Sequence, residues 1–368
     1  MSRTRLNSKD ANVLILRALP WGADSRSLRW ATIYAPRNIR WGCWGSHAAE
    51  HRNENILHRR PSNGYSGFVL GYFAFIVMCF FYSLKHLRRG DTLLCIDLET
   101  ALLGLFAAKL RGARVHYDMA DPFYLTKPVP FKPIWRWLER QYIRMADLAT
   151  APHASRFDLF FDSPLHHTHV VENVPDIRGV KTNRHFRTKC EGGHMLILGY
   201  FGTLAPHRGI EDLIAFVQHH PQTRMEIGGL GPLQKMIEKA SQLCSRIHFV
   251  GPYKPEDLVS LTREVDVYCS LYYSSKPLHR WAAPNKYFEH LALKIPILIS
   301  ACTPNAIDVH QNNTGWVIPD GRQALDNWYL KIHNDVTTFD QFARCAGALW
   351  SAKYADWQNK QKKYFSKL

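Results

Sequence analysis

The sequence lacks any Cys-x-x-Cys pair. Its eight cysteines are scattered from Cys43 to Cys345, and no histidine stands beside them at metal-ligand spacing. That pattern excludes a zinc ribbon or a disulfide framework and predicts free thiols in a reducing compartment. Negative charge is also scarce, with 31 Asp and Glu against 47 Lys and Arg, for a formal net charge of +16. An anionic partner is therefore expected, whether a phosphorylated substrate, a membrane surface or nucleic acid. Nucleic acid fits poorly, because the basic residues show no regular aromatic interleaving and no known binding motif. No Gly-x-Gly-x-x-Gly follows the first apolar run, Asn12–Leu16, which argues against a dinucleotide cofactor. Nor does the apolar core of a secretory signal precede it, so the expected location is the cytoplasm.

A chain of 368 residues exceeds what one hydrophobic core usually serves, and two domains are expected. Asn12–Leu16, Thr92–Asp97, Arg114–Asp118, Leu148–Ala151 and His169–Val174 read as strands alternating with helical patterns, which predicts a first Rossmann-like α/β domain over residues 1–180. Asp176–Gly193 is polar, basic and without apolar period, and reads as a linker. The alternation restarts at Met195–Phe201 and continues through Arg224–Ile227, Ile247–Val250, Val265–Ser270 and Ile297–Ser300, giving a second such domain over 194–350. Residues 351–368 form a basic tail, its lysines either solvated or set against anionic lipid. The expected fold is thus two doubly wound parallel sheets.

Tyr65–Leu84 carries no charge over twenty residues and is flanked by Arg59, Arg60, Lys85, Arg88 and Arg89. Its length would allow it to span a bilayer. Strands on either side of it should pair in one parallel sheet, however, which a spanning helix would prevent. The preferred reading is a helix that packs on the sheet with one face and touches lipid with the other; a wholly buried helix is the alternative.

Ligands of doubly wound sheets bind beyond the carboxyl ends of the strands. In the first half those ends carry Asp97, Glu99, Asp118 and Asp121, and Asp118 and Asp121 are candidates for acceptor binding or acid-base work. A turn aspartate before Pro122 explains either one equally well. Arg26 and Arg29 are either solvated or in contact with an anion. In the second half the strand ends carry Gly202, Gly228–Gly231 and a loop with Arg208. The helix opening Pro284-Asn285-Lys286 bears Glu289 one turn in. A nucleotide diphosphate across these ends accounts for Gly202, Arg208, Gly229 and Lys286 together, with Glu289 accepting from sugar hydroxyls. Taken alone, each glycine is explained by a turn, and Glu289 by a surface helix.

Four runs in order, Tyr200–Ile210 (YFGTLAPHRGI), Ile227–Pro232 (IGGLGP), Phe249–Tyr253 (FVGPY) and Pro284–Glu289 (PNKYFE), resemble the donor domain of retaining glycosyltransferases of family 4, with the GT-B fold. Asp97–Leu110, Val115–Asp121 and Val170–Pro175 are compatible with its first domain. The resemblance implies two Rossmann-like domains facing across a cleft, a nucleotide-sugar held by the second and an acceptor by the first. On that basis Gly202 and Thr203 offer backbone contacts to the diphosphate, and Arg208 is the basic residue beside it. Asn285 and Lys286 stand near the phosphates, Tyr253 meets the base, and Glu289 binds the ribose. The departing diphosphate is stabilised by Arg208 and Lys286, with Asp118 and Asp121 on the acceptor side; no metal or other cofactor is required.

Three positions depart from the family pattern. Thr203 stands where an Arg is usual. Trp281 stands eight residues before Glu289, where a second Glu is usual, and Ala120 where many relatives have His. The implied function is transfer of a sugar to a lipid-linked or polysaccharide acceptor in surface glycan synthesis, by an enzyme peripheral to the inner face of the cell membrane. A sugar-nucleotide 2-epimerase and a non-catalytic partner in a glycan-assembly complex are the alternatives.

Overall fold

The computed structural model describes residues 12–20, 25–35, 37–45, 56–59, 65–177, 195–332 and 337–367. Most of the expected linker, from residue 178 on, lies outside them. The chain divides into two compact units, residues 1–172 with 356–368, and residues 173–355.

The first unit is a parallel sheet of seven strands: β1 (Val13–Arg17), β2 (Ile39–Gly45), β3 (Ile56–Arg59), β4 (Thr92–Ile96), β5 (Arg114–Asp118), β6 (Leu148–Ala151) and β7 (Thr168–Val170). Their order is β3-β2-β1-β4-β5-β6-β7. β1 reads VLILR and is buried along its whole length, as an apolar run without alternation requires when both faces of a central strand are covered. It pairs with β2 through Val13 and Ile39 and with β4 through Val13 and Thr92.

β2 and β3 go beyond the strands expected from the sequence. β2, IRWGCWG, has one β-branched residue and two glycines, so it carries little strand signal. Gly42 is there for packing: a Cβ would lie 2.9 Å from the Leu16 side chain and 3.1 Å from that of Tyr82.

The helices of this unit include α1 (Ser25–Tyr34), α2 (Tyr65–His86), α3 (Leu98–Arg111) and α4 (Lys132–Met145). α2 packs on α3 and β3, burying Phe75, Cys79 and Ser83, while Leu70, Phe73 and Phe81 on its other side are exposed. Among the described residues no helix is long and apolar enough to cross a membrane.

α1 corrects two expectations. Arg26 and Arg29 are buried, not solvated. The Arg26 guanidinium forks onto Asp118 at 2.9 and 2.6 Å, and Asp118 also accepts from Trp30 Nε1 at 2.8 Å and Thr150 Oγ1 at 2.7 Å. Burial opposes the charge on Asp118, but Arg26 and the hydrogen bonds hold its carboxyl below the usual range. Asp118 is wholly inaccessible and is an internal strut, not a strand-end group facing a substrate.

The basic tail is likewise not simply solvated. Its helix, Trp357–Phe365, belongs to the first unit. Phe365 is 1% exposed and sits among Trp30, Tyr34 and His116, with ring centroids 5.1, 5.7 and 5.6 Å away. Trp357 Nε1 donates to Glu172 at 2.8 Å. Lys360, Lys363 and Lys367 remain exposed.

The second unit is a parallel sheet of six strands: β8 (Leu196–Phe201), β9 (Thr223–Gly228), β10 (Ile247–Gly251), β11 (Val267–Ser270), β12 (Ile297–Ser300) and β13 (Gly315–Ile318). The order is β10-β9-β8-β11-β12-β13, so the winding reverses between β8 and β11. Tyr200, Phe216, Ile227, Val267 and Leu298 form its core and are inaccessible to solvent.

Candidate active site

The strand ends of the second unit are brought together by backbone contact. Gly202, just past β8, and Gly229, just past β9, have φ of 140° and 143°, a region that side chains disfavour. The Gly202 amide donates to the Gly228 carbonyl at 3.0 Å and the Gly229 amide to Gly251 at 2.9 Å. A Cβ on Gly229 would lie 1.8 Å from the Gly202 carbonyl oxygen, so no other residue fits there. The two loops are thereby held with their backbones against each other at one edge of the sheet.

Beside them begins the helix α5 (Asn285–Leu293), and Pro284 before it supplies no side-chain cap. Lys286 in its first turn is 4% exposed, and its Nζ lies 3.2 Å from the centroid of the Tyr200 ring with no hydrogen-bond partner. A Cβ on Gly202 would stand 3.2 Å from Lys286 Cε, so the ammonium end reaches directly beneath the first loop. Burial, then repulsion from Arg208, pushes the Lys286 pKa well below that of an ordinary lysine, against the attraction of Glu289.

Arg208 lies over the Tyr272 ring at 4.5 Å and donates to its hydroxyl at 2.7 Å. Tyr272 in turn packs edge-on against His279, centroids 5.0 Å apart. His279 donates from Nδ1 to the Tyr273 carbonyl at 2.8 Å, and burial pushes its pKa down to about 4. Glu289 accepts from the Tyr268 hydroxyl at 2.8 Å, and burial together with this carboxylate raises both the Tyr268 and Tyr253 hydroxyls. Tyr253 stands edge-on to Phe201 at 5.7 Å.

The structure therefore gathers Gly202, Gly229, Arg208, Lys286, Asn285, Glu289 and Tyr253 in one unit. Thr203 is exposed, its carbonyl accepting from the Tyr200 hydroxyl at 2.9 Å. Tyr200, Tyr268 and Tyr272, the aromatic bed under the charged groups, carry no sequence signal that separates them from core residues. Trp281 closes the short 3-10 turn Pro277–Trp281. In the first unit Asp121 is half exposed and pairs with Arg156 at 3.0 Å. Among the described residues no group of three or more His, Cys, Asp or Glu could hold a metal ion.

Solved structures with this architecture cover nearly the whole chain. HepE of Anabaena in complex with UDP-glucose aligns with a TM-score of 0.71 at 16% identity, over 97% of this chain and 100% of that one. Sucrose-phosphate synthase of Thermosynechococcus elongatus gives 0.70 at 14%, over 97% and 98%. WaaG, a glycosyltransferase involved in lipopolysaccharide biosynthesis, gives 0.65 at 14%, over 96% and 99%. The fold is GT-B, the two-unit architecture of glycosyltransferases. Residues 196–335 match the family model for group 1 glycosyl transferases. Over those residues the second unit thus matches a group 1 glycosyl transferase domain. No curated protein sequence matches it.

Proposed function

We propose that the protein transfers a sugar from a nucleotide-sugar to a hydroxyl of a lipid-linked or polysaccharide acceptor in surface glycan synthesis, with retention of anomeric configuration. One observation carries the donor half of this reading. Lys286, a buried amine with no hydrogen-bond partner, lies under the Gly202 loop beside Arg208 and the uncapped start of α5. Such a grouping is built for a diphosphate, and Glu289 on the same helix suits ribose hydroxyls. HepE has been seen with UDP-glucose and WaaG acts in lipopolysaccharide biosynthesis, which supports the choice of donor and product class.

In the reaction the anomeric carbon loses its bond to the diphosphate oxygen and gains one to the acceptor oxygen on the same face. The acceptor's proton leaves with the diphosphate. Arg208 and Lys286 lower the barrier by stabilising the charge that develops on the leaving group, with no metal needed. Retention rests on the resemblance to family 4.

The exposed Leu70, Phe73 and Phe81 of α2, with Lys85 and Arg88 at its end, support peripheral attachment to the cytoplasmic membrane face.

The test is a thermal-shift series with UDP, GDP, ADP, CMP and their sugar conjugates, since a ligand that binds only the folded state raises the midpoint. One nucleotide series should stabilise the protein, and Arg208→Ala should abolish the effect. No shift in a folded protein would overturn the donor site and favour a non-catalytic partner. Interconversion of the donor without release of nucleoside diphosphate would favour a 2-epimerase. Sedimentation with phosphatidylglycerol vesicles, lost in Phe73→Ser/Phe81→Ser, tests the attachment.

A further inference from the structure

At the amino ends of the first sheet, the edge opposite its strand carboxyl ends, α2 stops and β1, β2 and β4 begin. Between them lies a cleft of about 280 Å³, lined by Asn12–Leu14, Asn38, Arg40, Lys85–Arg88 and Asp91. Its size is near the lower end of the range for small-molecule sites.

Three exposed cations line this cleft: Arg40 from β2, and Lys85 and Arg88 from the end of α2 and the turn after it. None of them pairs with a carboxylate among the described residues. Asp91 is the only acid in the lining, it is 4% exposed, and backbone amides already hold both of its oxygens. One accepts from the Asn12 amide at 3.0 Å and the other from the Arg88 amide at 2.8 Å.

The dipole of α2 would explain Lys85 and His86 in its last turn. It does not explain Arg40, which arrives from a strand 46 positions away and donates from Nη1 to His86 Nδ1 at 2.6 Å. A guanidinium keeps its protons, so this bond requires a bare Nδ1 and hence a neutral ring. Burial, then Arg40 and Lys85, lowers the His86 pKa accordingly. A helix end that favours a charged histidine thus carries a neutral one, because cations crowd it from two elements.

An anion in the cleft would supply the counter-charge that these side chains lack within the chain. Three cations suit a phosphate monoester, with three terminal oxygens and about two negative charges at neutral pH, better than a carboxylate with two oxygens and one charge. Phe81, 63% exposed, stands one turn before Lys85 on the same side of α2. The apolar side of the helix therefore leads up to the cleft, as the body of a lipid leads to its headgroup.

We propose that this cleft is a phosphate-binding site, in which Arg40, Lys85 and Arg88 hold the phosphate group of a soluble monoester or of a lipid headgroup. The site is independent of the donor reading; only a lipid source rests on the reading of α2 as facing the membrane.

The experiment follows the His86 ring resonance, assigned by its loss in His86→Gln, during titration with inorganic phosphate and with glycerol 3-phosphate. Two double variants of equal charge are compared. Arg40→Gln/Arg88→Gln lies in the cleft, and Arg89→Gln/Arg114→Gln lies on the same exposed edge outside it. The resonance should move saturably in wild type, and affinity should fall at least tenfold in the first variant and stay within threefold in the second. Lys85→Gln, a single exposed change, repeats the test should the first variant melt low. Sedimentation then separates the sources, with phosphatidylcholine vesicles carrying phosphatidic acid or, at equal charge, phosphatidylserine. A preference for phosphatidic acid that only the cleft variants lose would assign the phosphate to a lipid; saturable binding of the soluble phosphates without that preference would assign it to a soluble monoester.

No saturable movement in folded wild type, or an equal fall in both double variants, would overturn the proposal, since the basic edge would then act only as a diffuse field. Nucleotide-induced shifts measured on the same proteins report the donor site separately, and Phe73→Ser/Phe81→Ser should weaken vesicle binding without changing the phosphate titration.

Discussion

The ammonium nitrogen of Lys286 rests 3.2 Å from the centre of the Tyr200 ring, buried and without a hydrogen bond. The aromatic face supplies part of what water would, but not all of it. An anion bound at Lys286 would supply the partner that this nitrogen lacks.

Lys286→Met should accordingly melt higher than wild type without ligand and show a much smaller shift with nucleotide. The pH dependence has a definite sign. The Lys286 pKa is lowered in the folded protein, so the unfolded chain binds more protons and stability from this residue rises with pH toward the ordinary lysine value. Denaturant titrations from pH 7 to 10 should show that rise flattened in Lys286→Met.

Glu139 gives the opposite slope. It is fully buried, accepts from the Tyr117 hydroxyl at 2.8 Å, and is pushed up to about 8 by burial. An acid raised in the folded state favours folding below its unfolded value, and that contribution is lost as pH rises toward 8. Glu139→Gln should be less sensitive than wild type between pH 5 and 8, by a few kcal/mol on the order expected for such a shift. Equal slopes would mean that the carboxylate is charged throughout.

Phe365→Ala empties the space among Trp30, Tyr34 and His116. A loss of about 3 kcal/mol is expected, the lower end for a buried Phe truncated to Ala. Nucleotide binding, proposed for the other unit, should survive in the folded fraction. Denaturation followed by Trp fluorescence, with the nucleotide shift measured alongside, separates the two effects.

Gly229→Ala forces a methyl group into the Gly202 carbonyl. The loops must part, and nucleotide affinity should fall at least tenfold, about 1.4 kcal/mol. Titration calorimetry with the nucleotide found in the screen reads this directly; unchanged affinity would show that the loop contact plays no part in binding.

The grouping of these residues in the second unit was legible because its signals are local: glycines at strand ends, and Asn285, Lys286 and Glu289 within one helix turn or so of each other. Its aromatic bed was not, since Tyr200 and Tyr268 in an apolar strand look like any core residue until the helix that covers them is placed. In the first unit the reading placed Asp118 at a strand end but could not foresee Arg26, 92 positions earlier, arriving to neutralise it. β2 escaped notice because Gly42 yields its volume to Leu16 and Tyr82, a requirement visible only in three dimensions. Asp97 was seen as one more acidic strand end, and nothing in its residue type announced a backbone at φ 67° and ψ 164°, a conformation suited to glycine.

The return of Trp357–Phe365 to the first unit has a consequence for synthesis. The aromatic pocket of Trp30, Tyr34 and His116 is translated early, but the ring that fills it emerges only after residues 173–355 have been made. While the second unit is being built, the first waits with an open apolar socket, a natural point for a chaperone to engage and for aggregation to begin if translation stalls.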